Sequence, residues 1–229
     1  MLTLDNVCYT YQTKAQMVEA LRGVSAEFEV GRFYALVGPS GSGKTTLLSL
    51  LAGLDVPGSG EIRWNGESTR TMDLDRFRFE HVSVIYQNFN LFAHLTALEN
   101  AAYPLYLRGI SKKEAEAKAA DKLKQVGISE DKLHRLPSHL SGGEQQRVAI
   151  ARALASDTEL ILADEPTGNL DSKNGMRIVE LLSELAHREN RCVIVVTHDP
   201  TVAGKADNTL LMEDGKLRND SKRKSTVQV

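Results

Sequence analysis

The sequence predicts an α/β fold around a parallel sheet, interrupted by a helical insertion, and three observations carry that prediction. Leu160-Ile-Leu-Ala163 and Cys192-Val-Ile-Val-Val196 are continuous apolar runs, the composition of strands covered on both faces. Between them, about 172–188, apolar residues recur at helical spacing through Ile178, Leu181, Leu182 and Leu185, so strand, helix and strand make a crossover unit. Upstream, the strand Arg32-Phe-Tyr-Ala-Leu-Val37 runs through a glycine-rich loop directly into a helix at Lys44–Gly53, with Gly53 as its stop.

The remaining elements follow in chain order. Roughly the first sixty residues read as short strands joined by turns. Pro57-Gly-Ser-Gly60 is a turn, and Glu61-Ile-Arg-Trp-Asn-Gly66 is a strand followed by another. The character changes near residue 88, and 88–156 reads as a helical insertion. Within it, Ser111-Lys-Lys-Glu114 predicts a capping box, Ala115, Ala119, Leu123 and Val126 form one apolar stripe, and Gly127 ends the helix. The polar stretch from Arg218 to Val229, with Lys222, Arg223 and Lys224, reads as a frayed solvated end. No repeat or low-complexity block is present.

Composition excludes several classes. The 229 residues can bury a core without disulfides, and Cys8 and Cys192 are too few for a disulfide framework or a four-cysteine zinc site. A net charge of −2 supplies no general basic field for nucleic acid or an anionic membrane. No apolar run approaches the ~18 residues of a membrane span, and the first residues lack the pattern of a signal peptide. These features predict a soluble, cytoplasmic protein whose membrane role, if any, comes through a partner chain.

The glycine loop carries the first chemistry. Gly38, Pro39, Ser40, Gly41, Ser42, Gly43, Lys44 and Thr45 fit G-x-x-x-x-G-K-[ST] in full, between a strand and a helix. Glycines let backbone N–H groups wrap a phosphate, and the helix start adds partial positive charge. Lys44 is then a cation for the β- and γ-phosphates, Thr45 a hydroxyl for Mg²⁺, and Thr46 a donor to the α-phosphate. A turn that merely needs glycine would not require Lys44-Thr45. The second half is Leu160-Ile-Leu-Ala-Asp164-Glu165, an apolar strand ending in two carboxylates. Alternation along a strand sends adjacent side chains to opposite sides, so Asp164 is expected toward Mg²⁺ and Glu165 toward the γ-phosphate, as acceptor of a water proton.

Leu140-Ser-Gly-Gly-Glu-Gln-Gln-Arg147 decides among phosphate-loop proteins. With the segments above, it makes the chain resemble the ATP-binding cassette (ABC) ATPases over essentially its whole length. The resemblance implies a RecA-like core at 1–87 and 157–220 with an N-terminal antiparallel β subdomain. It also implies an inserted α-helical subdomain at 88–156 and a polar tail at 221–229. In this family, ATP and Mg²⁺ lie between two head-to-tail protomers. Ser141, Gly142, Gly143 and Glu144 would therefore cap a γ-phosphate held by the other copy. Glu144 stands where the commonest form has glutamine. Tyr11 resembles the aromatic that stacks on adenine, with Tyr9 as its fallback. Gln87 resembles the glutamine that approaches Mg²⁺ and water, Asp171 the aspartate that contacts the opposite protomer, and His198 the switch histidine. Glu165, His198, Gln87 and Lys44 are thus the implied catalytic set.

Finer likeness in Gln87-Asn-Phe-Asn-Leu-Phe, Leu95-Thr-Ala-Leu-Glu-Asn100 and Ala163-Asp-Glu-Pro-Thr-Gly-Asn-Leu-Asp171 points to the ATPases of lipoprotein-release, macrolide-efflux and antimicrobial-peptide-resistance systems. The implied partners are a second copy and an integral membrane permease on a separate chain, at the cytoplasmic face of the membrane. Phe89, Leu91, Phe92, Leu95 and Leu98 would either carry force to that permease or serve as lobe core. A regulatory relative that drives an extracytoplasmic cell-wall enzyme without transport is the alternative. Repair ATPases need a long coiled coil that this chain lacks, and translation ATPases carry two cassettes. A GTPase reading of Asp55-Val-Pro-Gly58 fails because no N-K-x-D follows. No nucleic-acid partner is expected.

Overall fold

The computed structural model describes residues 1–12 and 16–219, so the basic tail at 221–229 lies outside the described residues. Two sheets organise the chain. A six-stranded sheet has the order β10 (Lys216–Asn219), β9 (Asn208–Glu213), β3 (Arg32–Val37), β8 (Cys192–Val196), β7 (Leu160–Asp164) and β6 (Val82–Ile85). Its pairings are parallel except for β10 on β9. A four-stranded antiparallel sheet has the order β2 (Met17–Phe28), β1 (Leu2–Gln12), β4 (Ser59–Trp64) and β5 (Glu67–Ser68).

Two apolar cores sandwich the parallel sheet. Phe33, Ala35, Ile161, Ala163, Val193 and Val195 face a core shared with the helices of the insertion. The alternate residues Tyr34, Leu36, Leu160, Leu162, Cys192, Ile194 and Val196 face a second core, shared with α1 (Lys44–Leu51) and the antiparallel sheet. Burial on both faces explains why these strands read as unbroken apolar runs. Cys192 sits inside this packing, where burial pushes its thiol up to about 12 and keeps it protonated.

The insertion carries α3 (Ala97–Leu107), α4 (Lys112–Gln125) and α5 (Gly142–Ala155) between β6 and β7. Ala115, Ala119, Leu123 and Val126 are all buried, and Gly127 is left-handed as a helix stop requires. The capping box expected at Ser111 is only half made. Ser111 accepts from the Glu114 N–H, but the Glu114 carboxylate pairs with Lys118 at 2.8 Å instead of reaching back. Complete boxes close α3, through Thr96 and Glu99, and α5, through Ser141 and Glu144. Leu98 is core and Leu91 packs against it, whereas Phe92 is exposed.

The crossover helix α6 (Ser172–Glu189) buries Ile178, Val179, Leu182 and Leu185 between β7 and β8, and Asn190 in the left-handed region ends it. A further helix, α2 (Leu74–His81), precedes β6 and has no counterpart in the sequence reading. The last, α7 (Pro200–Lys205), follows β8.

Candidate functional site

Strand register brings distant segments to one rim. Leu36 of β3 and Asp164 of β7 both stand level with Val196 of β8, and Ile85 of β6 stands level with Ala163. The turns leaving these four parallel strands therefore emerge side by side at their carboxyl ends, where open α/β sheets hold ligands. They deliver the glycine loop, Gln87, the Asp164–Glu165 pair and His198 to one cavity of about 700 Å³.

The glycine loop shapes its floor. Gly38 and Gly43 have φ of 151° and 105°. A Cβ at Gly38 would stand 2.1 Å from the Met212 carbonyl, and one at Gly43 2.5 Å from that of Ala20, so no larger residue fits either position. Helix α1 begins at Lys44 with no side-chain cap and no acidic residue in its first turn. Its leading N–H groups and their dipole are the unsatisfied part of the floor, which suits an anion. The Lys44 ammonium donates to the carbonyls of Gly38 at 2.9 Å and Pro39 at 2.8 Å, so the loop wraps its own cation. Ser42 is buried beneath the loop, and its carbonyl accepts from the Gly215 N–H.

The carboxylate wall stands at the end of β7. Asp164 ends β7, and its carboxylate accepts from the Thr45 hydroxyl at 3.3 Å. Burial pushes its pKa up, partly countered by Thr45. Glu165 does not continue the strand alternation. Its φ of 48° turns the chain, its N–H is held by the Val196 carbonyl, and both carboxylates line the same cavity. At the strand end a left-handed residue, and not strand alternation, sets where Glu165 sits. Hard oxygen donors at Thr45 and Asp164, with Gln87 in the same cavity, fit a magnesium ion that takes its other ligands from phosphate and water. No cluster of three or more His, Cys, Asp and Glu with metal-holding geometry exists among the described residues.

His198 Nδ1 lies 2.7 Å from Glu165 Oε1. The carboxylate raises the pKa of the imidazole above its usual 6.5. A raised folded value means that the pair contributes fully below the ordinary histidine pKa and is lost as pH climbs through the raised one. Accordingly, NMR titration of the nucleotide-free chain is expected to place the His198 midpoint above 6.5 and to return it toward that value in Glu165→Gln. An unmoved midpoint in the variant would dissociate the two groups.

Tyr11 lines the cavity, half exposed, with its hydroxyl 3.3 Å from Thr46 Oγ1 and its ring edge-on to Tyr9 at 5.0 Å. Tyr9 is not in the lining. Its hydroxyl bonds Asp55, which pushes its pKa up to about 12. The opposite wall comes from residues that no motif marks: Val18, Glu19, Ala20 and Arg22 of β2, and Asp214 and Gly215 of the β9–β10 turn.

The Leu140–Glu144 segment and Asp171 lie outside this cavity. Ser141 caps α5 by accepting from the Glu144 N–H, while Glu144 accepts from the Ser141 N–H at 2.8 Å. The Lys132 ammonium and the Ser141 N–H pull the Glu144 carboxyl down to about 2. Glutamate at this position thereby closes the cap and anchors Lys132 at once, a pairing that glutamine's neutral amide would weaken. Asp171 caps α6 by accepting from the Asn174 N–H.

Comparison with known proteins adds to this geometry. A family model described as ABC transporter matches residues 21–168. The lipoprotein-releasing system ATP-binding protein LolD of Chromohalobacter salexigens is 43% identical over 224 residues, 96% of this chain and 94% of that protein. The macrolide export ATP-binding/permease protein MacB 2 of Aeromonas hydrophila is 43% identical over 227 residues, 98% of this chain but 35% of that longer protein. Among solved structures, the dimeric structure of MJ0796, a bacterial ABC transporter cassette, matches with a TM-score of 0.92 and 40% identity, over 96% of this chain and 98% of that one. A dimeric post-hydrolysis state of the same cassette, bound to ADP and Pi, matches with a TM-score of 0.92, 39% identity and the same coverage.

Proposed function

The chain belongs to the ABC transporter family as one of its ATPases, in the subgroup of LolD and MacB, and on that premise we propose that two copies close head to tail around two Mg·ATP to drive a membrane permease. The observation that carries this reading is the division of the site. The nucleotide cavity gathers the glycine loop, Gln87, Asp164, Glu165 and His198, while the Ser141–Glu144 helix start lies outside it with Ser141 and Gly142 exposed. A second glycine-rich helix start outside the cavity is what a composite site between two copies needs. The dimeric cassettes among its structural neighbours support the same arrangement.

Each residue then has a task. Backbone N–H groups of the loop and of the bare α1 start bind phosphate oxygens, and Lys44 turns from its own loop to the β- and γ-phosphates. Thr46 donates to the α-phosphate, and Tyr11 stacks on the base. Thr45, Asp164 and Gln87 would hold Mg²⁺, which would supply positive charge to the phosphate oxygens. Glu165 accepts the proton of the attacking water, and His198 keeps Glu165 aimed while reaching the γ-phosphate. From the other copy, the Ser141–Glu144 helix start closes over that phosphate, and Asp171 touches the opposite protomer. Resemblance to a lipoprotein-releasing protein and a macrolide exporter supports outward or mechanical work on lipoproteins, peptides or drugs, from the cytoplasmic face of the membrane.

Gly142→Asp tests the composite site. A Cβ there meets only Phe89, at 4.0 Å, and an added carboxylate at a helix start favours the helix itself. The variant is expected to fold and to bind Mg·ATP within about twofold of wild type, because its own cavity is untouched. Repulsion of the partner's phosphate should lower hydrolysis by about 10²-fold and abolish the ATP-dependent doubling of mass in light scattering. Normal turnover in this variant would confine the site to one chain.

A further inference from the structure

The β9–β10 hairpin runs up against the phosphate loop and touches it at both ends. Asp214 and Gly215 close the hairpin with φ of 48° and 75°, the paired left-handed turn that keeps Glu213 in step with Lys216. The Gly215 N–H donates to the Ser42 carbonyl at 3.1 Å, and the Gly215 carbonyl accepts from the Arg22 N–H of β2 at 2.8 Å. One buried residue of the turn thus joins the loop to the antiparallel sheet. Met212 closes on the rest of the loop: its carbonyl stands 2.1 Å from the place of a Cβ on Gly38, and its methyl 2.9 Å from that of one on Gly43.

This junction has no room to slip. The register of β2 on β1 passes from Leu21 opposite Tyr9 to Glu19 opposite Thr10, which leaves Ala20 as a bulge. The Ala20 carbonyl lies 2.5 Å from the place of a Cβ on Gly43 and 2.9 Å from that of one on Gly215. The bulge is therefore wedged between the loop and the turn. A planar trans peptide directs its C=O and its N–H oppositely. Holding the Ser42 carbonyl on Gly215 accordingly fixes the Gly43 N–H facing away from the turn. A hydrogen bond at that carbonyl also polarises the peptide and makes its N–H a stronger donor.

We propose that Gly215 is a positioning residue for the phosphate loop, whose N–H sets the Ser42–Gly43 peptide so that the Gly43 N–H is aimed at a phosphate oxygen in advance of binding. This role rests on the ATPase reading above and concerns the triphosphate alone, not the base. Such preorganisation adds affinity by removing the cost of ordering the loop when the ligand arrives.

Gly215→Ala adds a methyl that must displace either the Ala20 carbonyl or the turn, on a backbone that side chains rarely adopt. Mg·ATP and Mg·tripolyphosphate, titrated by calorimetry, are each expected to bind about tenfold more weakly. KM should rise by the same factor and kcat stay within about twofold, the pattern of lost uniform binding. Tripolyphosphate has no base, so it reads the cradle by itself. A loss of folded molecules would instead lower kcat and leave KM in place, which would make Gly215 a packing residue and overturn the proposal. Weaker ATP with unchanged tripolyphosphate would move the effect to the β2 wall and overturn it as well. For a variant that does not fold, the wild type labelled with ¹⁵N-glycine gives a second measurement. Its Gly215 amide is expected to exchange slowly without ligand, and its resonance to shift when Mg·tripolyphosphate is added. Free exchange or an unmoved resonance would overturn Gly215 as a brace of the loop. Unchanged affinity and KM in Gly215→Ala would remove this role alone, whereas a wild type that binds neither ligand would remove the ATPase reading itself.

Discussion

Glu165→Gln is expected to leave Mg·ATP affinity within about twofold of wild type while cutting hydrolysis by about 10²–10⁴-fold, the range lost with a general base. Glu165 is turned into the cavity by a left-handed backbone and held there by its own N–H on Val196, and neither constraint depends on the carboxylate. Glutamine keeps the volume and reach but cannot take a proton. It also removes a negative charge facing the γ-phosphate, so the closed pair should outlast that of the wild type. Phosphate release measures the first effect, and light scattering in Mg·ATP measures the second. Turnover at the wild-type rate would take Glu165 out of the chemistry and pass the role to another group in the cavity.

Lys44→Ala should fail at the earlier step. Its ammonium bonds two carbonyls of the loop it belongs to, so the substitution removes both the phosphate's counter-charge and a brace of the cradle. Charge-assisted hydrogen bonds contribute about 1.5–3 kcal/mol, which corresponds to roughly 10–150-fold weaker binding by calorimetry. Folding should survive, because α1 is anchored by Leu47, Leu48, Leu50 and Leu51, all buried on its core side. Unchanged affinity would undo the phosphate-cradle reading. The two variants separate cleanly: one binds as the wild type does without turning over, the other binds weakly.

What was legible in the sequence divides along physical lines. Helix α6 and strands β7 and β8 were readable because burial on one or both faces imposes a periodicity that local composition must obey. The glycine loop was readable because backbone wrapping around an anion permits few residue types. Helix α2 was not, since only Phe77 of its eight residues is buried and one apolar anchor leaves no stripe. The wall formed by Val18, Arg22 and Asp214 left no signal either. It owes its place to the pairing of β1 with β2 and of β9 with β10, which brings chemically ordinary residues opposite the glycine loop. Ser111 shows the limit of a four-residue pattern: once Lys118 competes for the Glu114 carboxylate, half of the predicted cap is not made.

Helix α1 begins bare, without the hydroxyl or carboxylate that starts α2, α3, α5 and α6. A triphosphate that completes this turn adds its own binding free energy to the native state, by an amount that grows with the logarithm of its concentration. Fuel supply thereby sets durability as well as work rate, and a starved molecule is the one most exposed to heat and proteolysis.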